Sequence, residues 1–284
     1  MSSPTSGPVS RPTSSGASAG GGPAGPAPFE PGTFRPAPGR GSALRMLAAH
    51  TRIEALLIIR HGEQALLTLI IPLALLIGLS TLHIGAIPQP RVDSVMPRIL
   101  ALAVMSTAFT GQAIALAFDR RYGVIKRLTA TALPRWTLIC GRVLATLVVV
   151  ALQTVVLGAT AFFLGWQPLL ADLLPSVLML VLGTVAFGAA GVLIGGTFRA
   201  EIVLAVANAI WFILLLAGGL ALPTNQLPQV VGNIAEYLPS GALAESLDRA
   251  LVHGALPGPI PIAVLLVWAV VGGVVASRTT RLTQ

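Results

Sequence analysis

Six runs of about 20 residues, each uncharged in its interior, constrain this chain more than any motif does. An α-helix of that length rises far enough to cross the hydrocarbon of a bilayer, and only a segment that satisfies its own backbone polar groups can stay there. The runs fall at 65–82, 99–118, 141–164, 173–195, 202–222 and 261–277. Prolines, glycines and arginines bound them. With 54% hydrophobic and 10% charged residues, the chain reads as an all-α integral membrane protein of six transmembrane helices.

Residues 1–42 contrast with the rest: Ser, Pro, Gly and Ala dominate, large apolar side chains are almost absent, and a disordered cytoplasmic tail is predicted. The remainder, 43–284, forms one transmembrane domain. It opens with an amphipathic stretch in which Leu44, Leu47, Ile53, Leu56 and Leu57 lie near one face and Arg45, Arg52 and Arg60 mostly on another. This reads as an elbow helix lying on the bilayer ahead of the first crossing.

The net charge of +8 would suggest nucleic acid in a soluble protein, but here the basic residues lie in flanks and loops. Cytoplasmic loops collect Arg and Lys, so their distribution sets the orientation. With both termini inside, only Arg91, Arg98 and Arg249 of the 18 basic residues face outward, which favours N-in and C-in. The lone cysteine, Cys140, forms no internal disulfide and reads as a small packed residue at the start of a helix.

What the runs lack is informative as well. His83, Asp172 and Glu201 occur only at their edges, so no proton or sodium relay lies at membrane depth, and no His base accompanies a serine nucleophile there. Ser106 and Ser240 read as packing or turn residues. Gly183, Gly188, Gly191, Gly195 and Gly196 in the fourth run, and Gly218 and Gly219 in the fifth, suit close helix packing in the bundle, packing against a second copy, or the wall of a substrate path. Asn208, deep in the fifth run, calls for a hydrogen-bond partner, on another helix or in the substrate. A phosphate-binding loop needs Gly-rich sequence ending in Lys-Ser/Thr, and the single lysine, Lys126, lies between Ile125 and Arg127. The chain carries no ATPase site or cofactor site of its own.

Between the second and third runs, Asp119 to Arg142 gathers Arg120, Arg121, Lys126, Arg127, Arg135 and Arg142. On a continuous helix, Phe118, Tyr122, Ile125 and Leu128 form one apolar stripe with Arg120, Lys126 and Arg127 pointing elsewhere, a short helix with a docking face. Pro134 ends it, and Trp136 suits the membrane interface where the third run begins. A solvated basic loop drawn to anionic lipid has the same composition.

The order of these features resembles the permease subunits of the ATP-binding-cassette superfamily, of the type-two exporters that move drugs, lipids and polysaccharides. Asp119, Arg120, Gly123, Leu128, Thr131 and Arg142 match that family's cytoplasmic coupling pattern. Two positions depart from it: Lys126 stands where Glu is usual, and Ala132 replaces the usual proline, with Pro134 two residues later. Leu238 and Pro239, followed by Ala244 to Arg249, resemble the short external helices such permeases carry before the last span. The resemblance covers 43–284. It implies a bacterial plasma-membrane protein without enzymatic activity that couples through Phe118, Asp119, Arg120, Tyr122, Gly123, Ile125, Lys126, Leu128 and Pro134 to a separate ATP-binding subunit. ATP and Mg would bind there, a second identical or paralogous permease would complete the route, and lipid would surround it. A hydrophobic or amphipathic cargo suits the uncharged runs. The other classes to separate from this are a non-transporting membrane scaffold holding a soluble partner or anionic lipid, and a secondary carrier.

Overall fold

The computed structural model describes residues 42–60, 62–82, 90–129, 135–221 and 228–279. The tail through residue 41, His83, Thr131, Ala132 and Pro134 lie outside the described residues. Among the described residues the secondary structure is helical throughout: α1 Ala43–Arg60, α2 Gly62–Thr81, α3 Arg91–Val104, a π-helical stretch Met105–Gly111, α4 Gln112–Arg121, α5 Val124–Thr129, α6 Arg135–Phe163, α7 Leu170–Thr197, α8 Ala200–Ala217, α9 Gln229–Ala235, α10 Pro239–Leu251 and α11 Pro259–Thr279.

Five of these rods are long and apolar enough to cross a membrane: Arg91–Arg121, Trp136–Phe163, Leu170–Thr197, Ala200–Ala217 and Pro259–Arg278. The expected first span at 65–82 corresponds to α2, in which the described apolar stretch, Thr68–Thr81, is shorter. The second expected span begins too late: α3 starts eight residues earlier and takes in Asp93 and Arg98, because Pro90 precedes it in an extended conformation and Asp93 sits in its first turn. The fifth ends earlier, at Ala217, where Gly218 and a left-handed Gly219 (φ 72°) turn the chain.

The rod from α3 through the π-helical stretch to α4 is the centre of the bundle, with Met96, Ala101, Val104, Met105 and Ala108 buried to 1% exposure or less. It packs on α7 through glycines. A Cβ at Gly191 would lie 2.8 Å from the Phe109 carbonyl oxygen, and one at Gly195 would come closer still to that of Ala113, so only glycine admits this approach. Close packing within the bundle, one of the three uses open to these glycines, is realised at these positions. At Gly188 a Cβ would meet nothing within 4 Å.

The short helices ahead of α11 are present as α9 and α10. Helix α10 has Pro239 in its first turn, a position where the missing N–H costs nothing; Gly241 admits the backbone of Ala235 in α9, and the helix packs against α3, α7 and α11 with Ala242, Leu243 and Leu247 buried. The hydroxyl of Ser240 donates to Leu214 O (3.1 Å), and Trp211 Nε1 donates to Ser106 Oγ (3.0 Å), so both serines join neighbouring helices.

The face of α1 that meets α6 carries His50, Glu54 and Ala55, while Leu44, Ile53, Leu56 and Leu57 are exposed. Two readings of the sequence need correction. Asn208 is exposed on α8 and donates to its own helix at Leu204 O (2.9 Å). Cys140 is exposed on α6, one position off that helix's packed face.

Candidate functional site

Helix α4 stops where the expected docking stripe needs it to continue. Gly123 adopts φ 69°, a conformation that costs L side chains, and its N–H turns back to Arg120 O (3.1 Å). Helix α5 then starts in a new direction at Val124. The four stripe residues separate as a result. Phe118 packs partly against the core, with its ring 6.0 Å from that of Tyr122, whereas Tyr122 itself is 63% exposed. Ile125 faces inward, buried with Leu116, Val192 and Ala276, and Leu128 is half-buried beside it. Val124 and Lys126 are exposed.

The charged residues around this break bind the ends of other helices. Arg120 Nη1 donates to Gly195 O (2.9 Å) and Phe198 O (3.2 Å), closing the carbonyl terminus of α7, where a cation complements the helix dipole. Arg121 pairs with Glu201 in the first turn of α8. Together these two contacts tie the end of α4 to the α7–α8 turn. Asp119 turns the other way and pairs with Arg142 of α6.

Arg142 lies two turns inside α6 and is 7% exposed, so a side chain that the sequence places in the basic segment is buried in the bundle. Burial is tolerated because Asp119 pairs with it directly and Glu54 of α1 lies 3.6 Å away. His50 stands 3.8 Å from Glu54 and packs over Gly141, where a Cβ would strike its ring. Three helices, α1, α4 and α6, therefore meet at one guanidinium.

A seam of neutral polar groups continues from it. Gln112 Nε2 donates to Arg142 O (3.1 Å) and to Thr146 Oγ1, and Thr146 donates to Arg142 O (3.0 Å). Farther along α6, Thr107 donates to Gln153 Oε1 (2.9 Å), and Gln153 Nε2 reaches Thr68 O and Oγ1 at 3.4 Å. Glu54, Gln112 and Gln153 were not singled out by sequence reasoning. The signal was there in Arg142, Thr146 and Gln153, which recur on one face of a single helix. Two cavities flank Arg142 and Glu54, one of about 260 Å³ walled mainly by apolar side chains and one of about 140 Å³ that includes Thr68, Thr107, Gln112 and Thr146.

This geometry is one of mechanical connection. Asp119, Arg120 and Arg121, three consecutive residues, hold α6 with α1, α7 and α8 respectively, while Tyr122 beside them stays exposed. The family described as ABC-2 type transporter matches residues 47–249. A protein of Bacillus subtilis (strain 168) described as a transport permease, YvfS, is 22% identical over 202 residues, covering 69% of this chain and 82% of the relative.

Proposed function

Because this chain belongs to the ABC-2 type transporter family, whose members imply an ATP-binding-cassette ATPase as partner, we propose that it is the membrane-embedded permease subunit of an ATP-driven exporter. In this reading α2 supplies a sixth crossing ahead of the five long rods, α1 lies along the cytoplasmic leaflet, and both termini face the cytoplasm. The inner membrane of a bacterium is the site. A second permease, identical or paralogous, completes the route. The cargo is hydrophobic or amphipathic, of the drug or lipid kind. The chain itself catalyses no covalent step, and ATP and Mg belong to the ATPase.

The observation that carries this reading is the placement of exposed Tyr122 beside three residues that each grip a different part of the bundle. Closure of an ATPase dimer against Tyr122, Val124 and Lys126 would push on the end of α4. The push passes through Arg142 to α1 and α6, and through Arg120 and Arg121 to α7 and α8. A ligand or partner shifts a two-state equilibrium only through contacts that differ between the states, and ion pairs that break and re-form at helix ends supply such contacts. Ile125, buried under α5, holds that helix to the bundle, and Gly123 sets the corner; neither presents a docking surface.

Co-purification and transport test the reading together. The tagged full-length chain should bring down a protein with a phosphate-binding Gly-rich Lys-Ser/Thr loop, and the reconstituted pair should hydrolyse ATP at a rate that cargo changes. A chain that retains membrane insertion but recruits no ATPase, or an ATPase indifferent to every amphipathic compound offered, would instead favour a membrane scaffold. Cargo movement abolished by collapsing the proton gradient while ATP stays high would favour a secondary carrier.

A further inference from the structure

The two cavities beside the coupling segment share a wall made of Glu54 and Arg142, and they differ in character. The larger, about 260 Å³, is lined by Leu116, Ile125, Val185, Val192, Gly273 and Ala276 among others. The smaller, about 140 Å³, gathers Thr68, Thr107, Gln112, Asp119 and Thr146. An apolar chamber and a polar one meeting at an ion pair have the shape of an amphiphile.

Two features of the wall remain unmet by the protein. Arg142 is buried, yet its Nη1 has no hydrogen-bond partner among the described residues, and an unpaired buried donor is costly. Two carboxylates, Glu54 and Asp119, face this single guanidinium, so with His50 neutral they outnumber it by one charge. His50 Nε2 lies 3.8 Å from Glu54, beyond hydrogen-bond reach. An acceptor oxygen would meet the first need and a cation the second. The larger chamber falls below the usual size of a pocket for a drug-sized ligand and so favours one chain or a small ring system over a two-tailed lipid.

We propose that these adjacent cavities bind a single-tailed amphiphile carrying a protonated amine at the Glu54–Arg142 wall they share, with the amine against Glu54 and Asp119, a head-group oxygen or water on Arg142 Nη1, and the tail in the chamber between α6, α7 and α11. As a point of cargo access the site rests on the exporter reading; as a binding site it does not, and binding is measured on the full-length chain without ATPase so that the two fail separately.

The experiment is native mass spectrometry of the purified chain with three probes: lysophosphatidylethanolamine, lysophosphatidylglycerol of the same tail, and dodecylamine. The amine-bearing probes should bind on the order of tenfold more tightly than the glycerol lipid. Glu54→Gln should erase that preference. Gly273→Leu should weaken all binding on the order of tenfold, because a Cβ at Gly273 meets nothing within 4 Å and the larger side chain fills the chamber. Ile139→Trp, at a partly exposed position of the same wall, gives a second chamber-filling variant if the first fails to insert. Preference for dodecylamine alone identifies a small cationic compound as the occupant, and preference for the ethanolamine lipid alone identifies a membrane lipid; either supports the site. Equal binding of all three probes, or unchanged binding in Glu54→Gln and in the chamber-filling variants, overturns it.

Discussion

The packing of α7 and α10 on the rod that runs from α3 to α4 and the packing of α1 and α6 at the end of α4 solve the same problem in opposite ways. In the first, backbone meets backbone through glycine, Leu243 and Leu247 are fully buried, and the hydroxyls of Thr184 and Ser246 are spent on their own helices at Leu180 O and Ala242 O. In the second, side chains from different helices meet through Arg142, Glu54, Asp119 and Gln112, and empty space remains beside them. A glycine contact with a carbonyl at its limit leaves no room to slide, since close-packed interiors resist continuous deformation. Ion pairs beside a cavity can exchange partners. The difference teaches where a machine built on this fold can move: at the end that carries Tyr122, with the glycine-packed rods as its frame.

The largest effect should come from Arg142→Ala. Removing one member of a buried ion pair leaves the carboxylates uncompensated and should cost about 3–5 kcal/mol, read as loss of thermal stability in detergent. Replacing Arg142, Glu54 and Asp119 together with Met, Gln and Asn should recover much of that loss, because the penalty lies in the unpaired charge. Transport should stay impaired, which separates the stability of this region from its function.

Gly195→Leu should come next, at about 1–3 kcal/mol or more, since the added side chain collides with the Ala113 backbone and overpacks the frame. Gly188→Ala is its control; with open space at that Cβ it should change stability by less than about 0.5 kcal/mol. If Gly195→Leu proved as mild as Gly188→Ala, the rigid half of the comparison would be lost. The smallest effect on stability should be that of Tyr122→Asp, within about 0.5 kcal/mol because the side chain is exposed, with ATPase association weakened on the order of tenfold. Ile125→Asp puts a charge into the cluster with Leu116 and Val192 and should damage folding, so it cannot serve as a clean test of coupling.

Much of the frame was legible beforehand. Long uncharged runs marked the crossing helices because lipid imposes length and self-satisfied backbones, and Gly191 and Gly195 of α7 marked the closest approach because no other residue fits there. The site was less legible. A stripe counted through Gly123 assumed one helix where a left-handed residue makes two, and so placed buried Ile125 on the same face as exposed Tyr122. Cys140 on α6 was assigned to packing, although in a membrane the outward face of a helix is as apolar as the inward one. Arg142 was read as part of a basic loop, since nothing local reveals that Glu54, almost ninety residues upstream, will stand beside it. Periodicity reports a helix face, and only tertiary contact reports what that face meets.

The central claim is that the exposed corner at Tyr122 receives the force of a cytoplasmic ATPase. A photo-cross-linking amino acid placed at position 122 in the intact membrane tests it most directly. The account predicts one dominant product, a covalent adduct with an ATP-binding subunit, which changes in yield when ATP is added. Labelling of the same position only by a membrane-impermeant reagent applied from outside the cell, with no ATPase adduct, would contradict it.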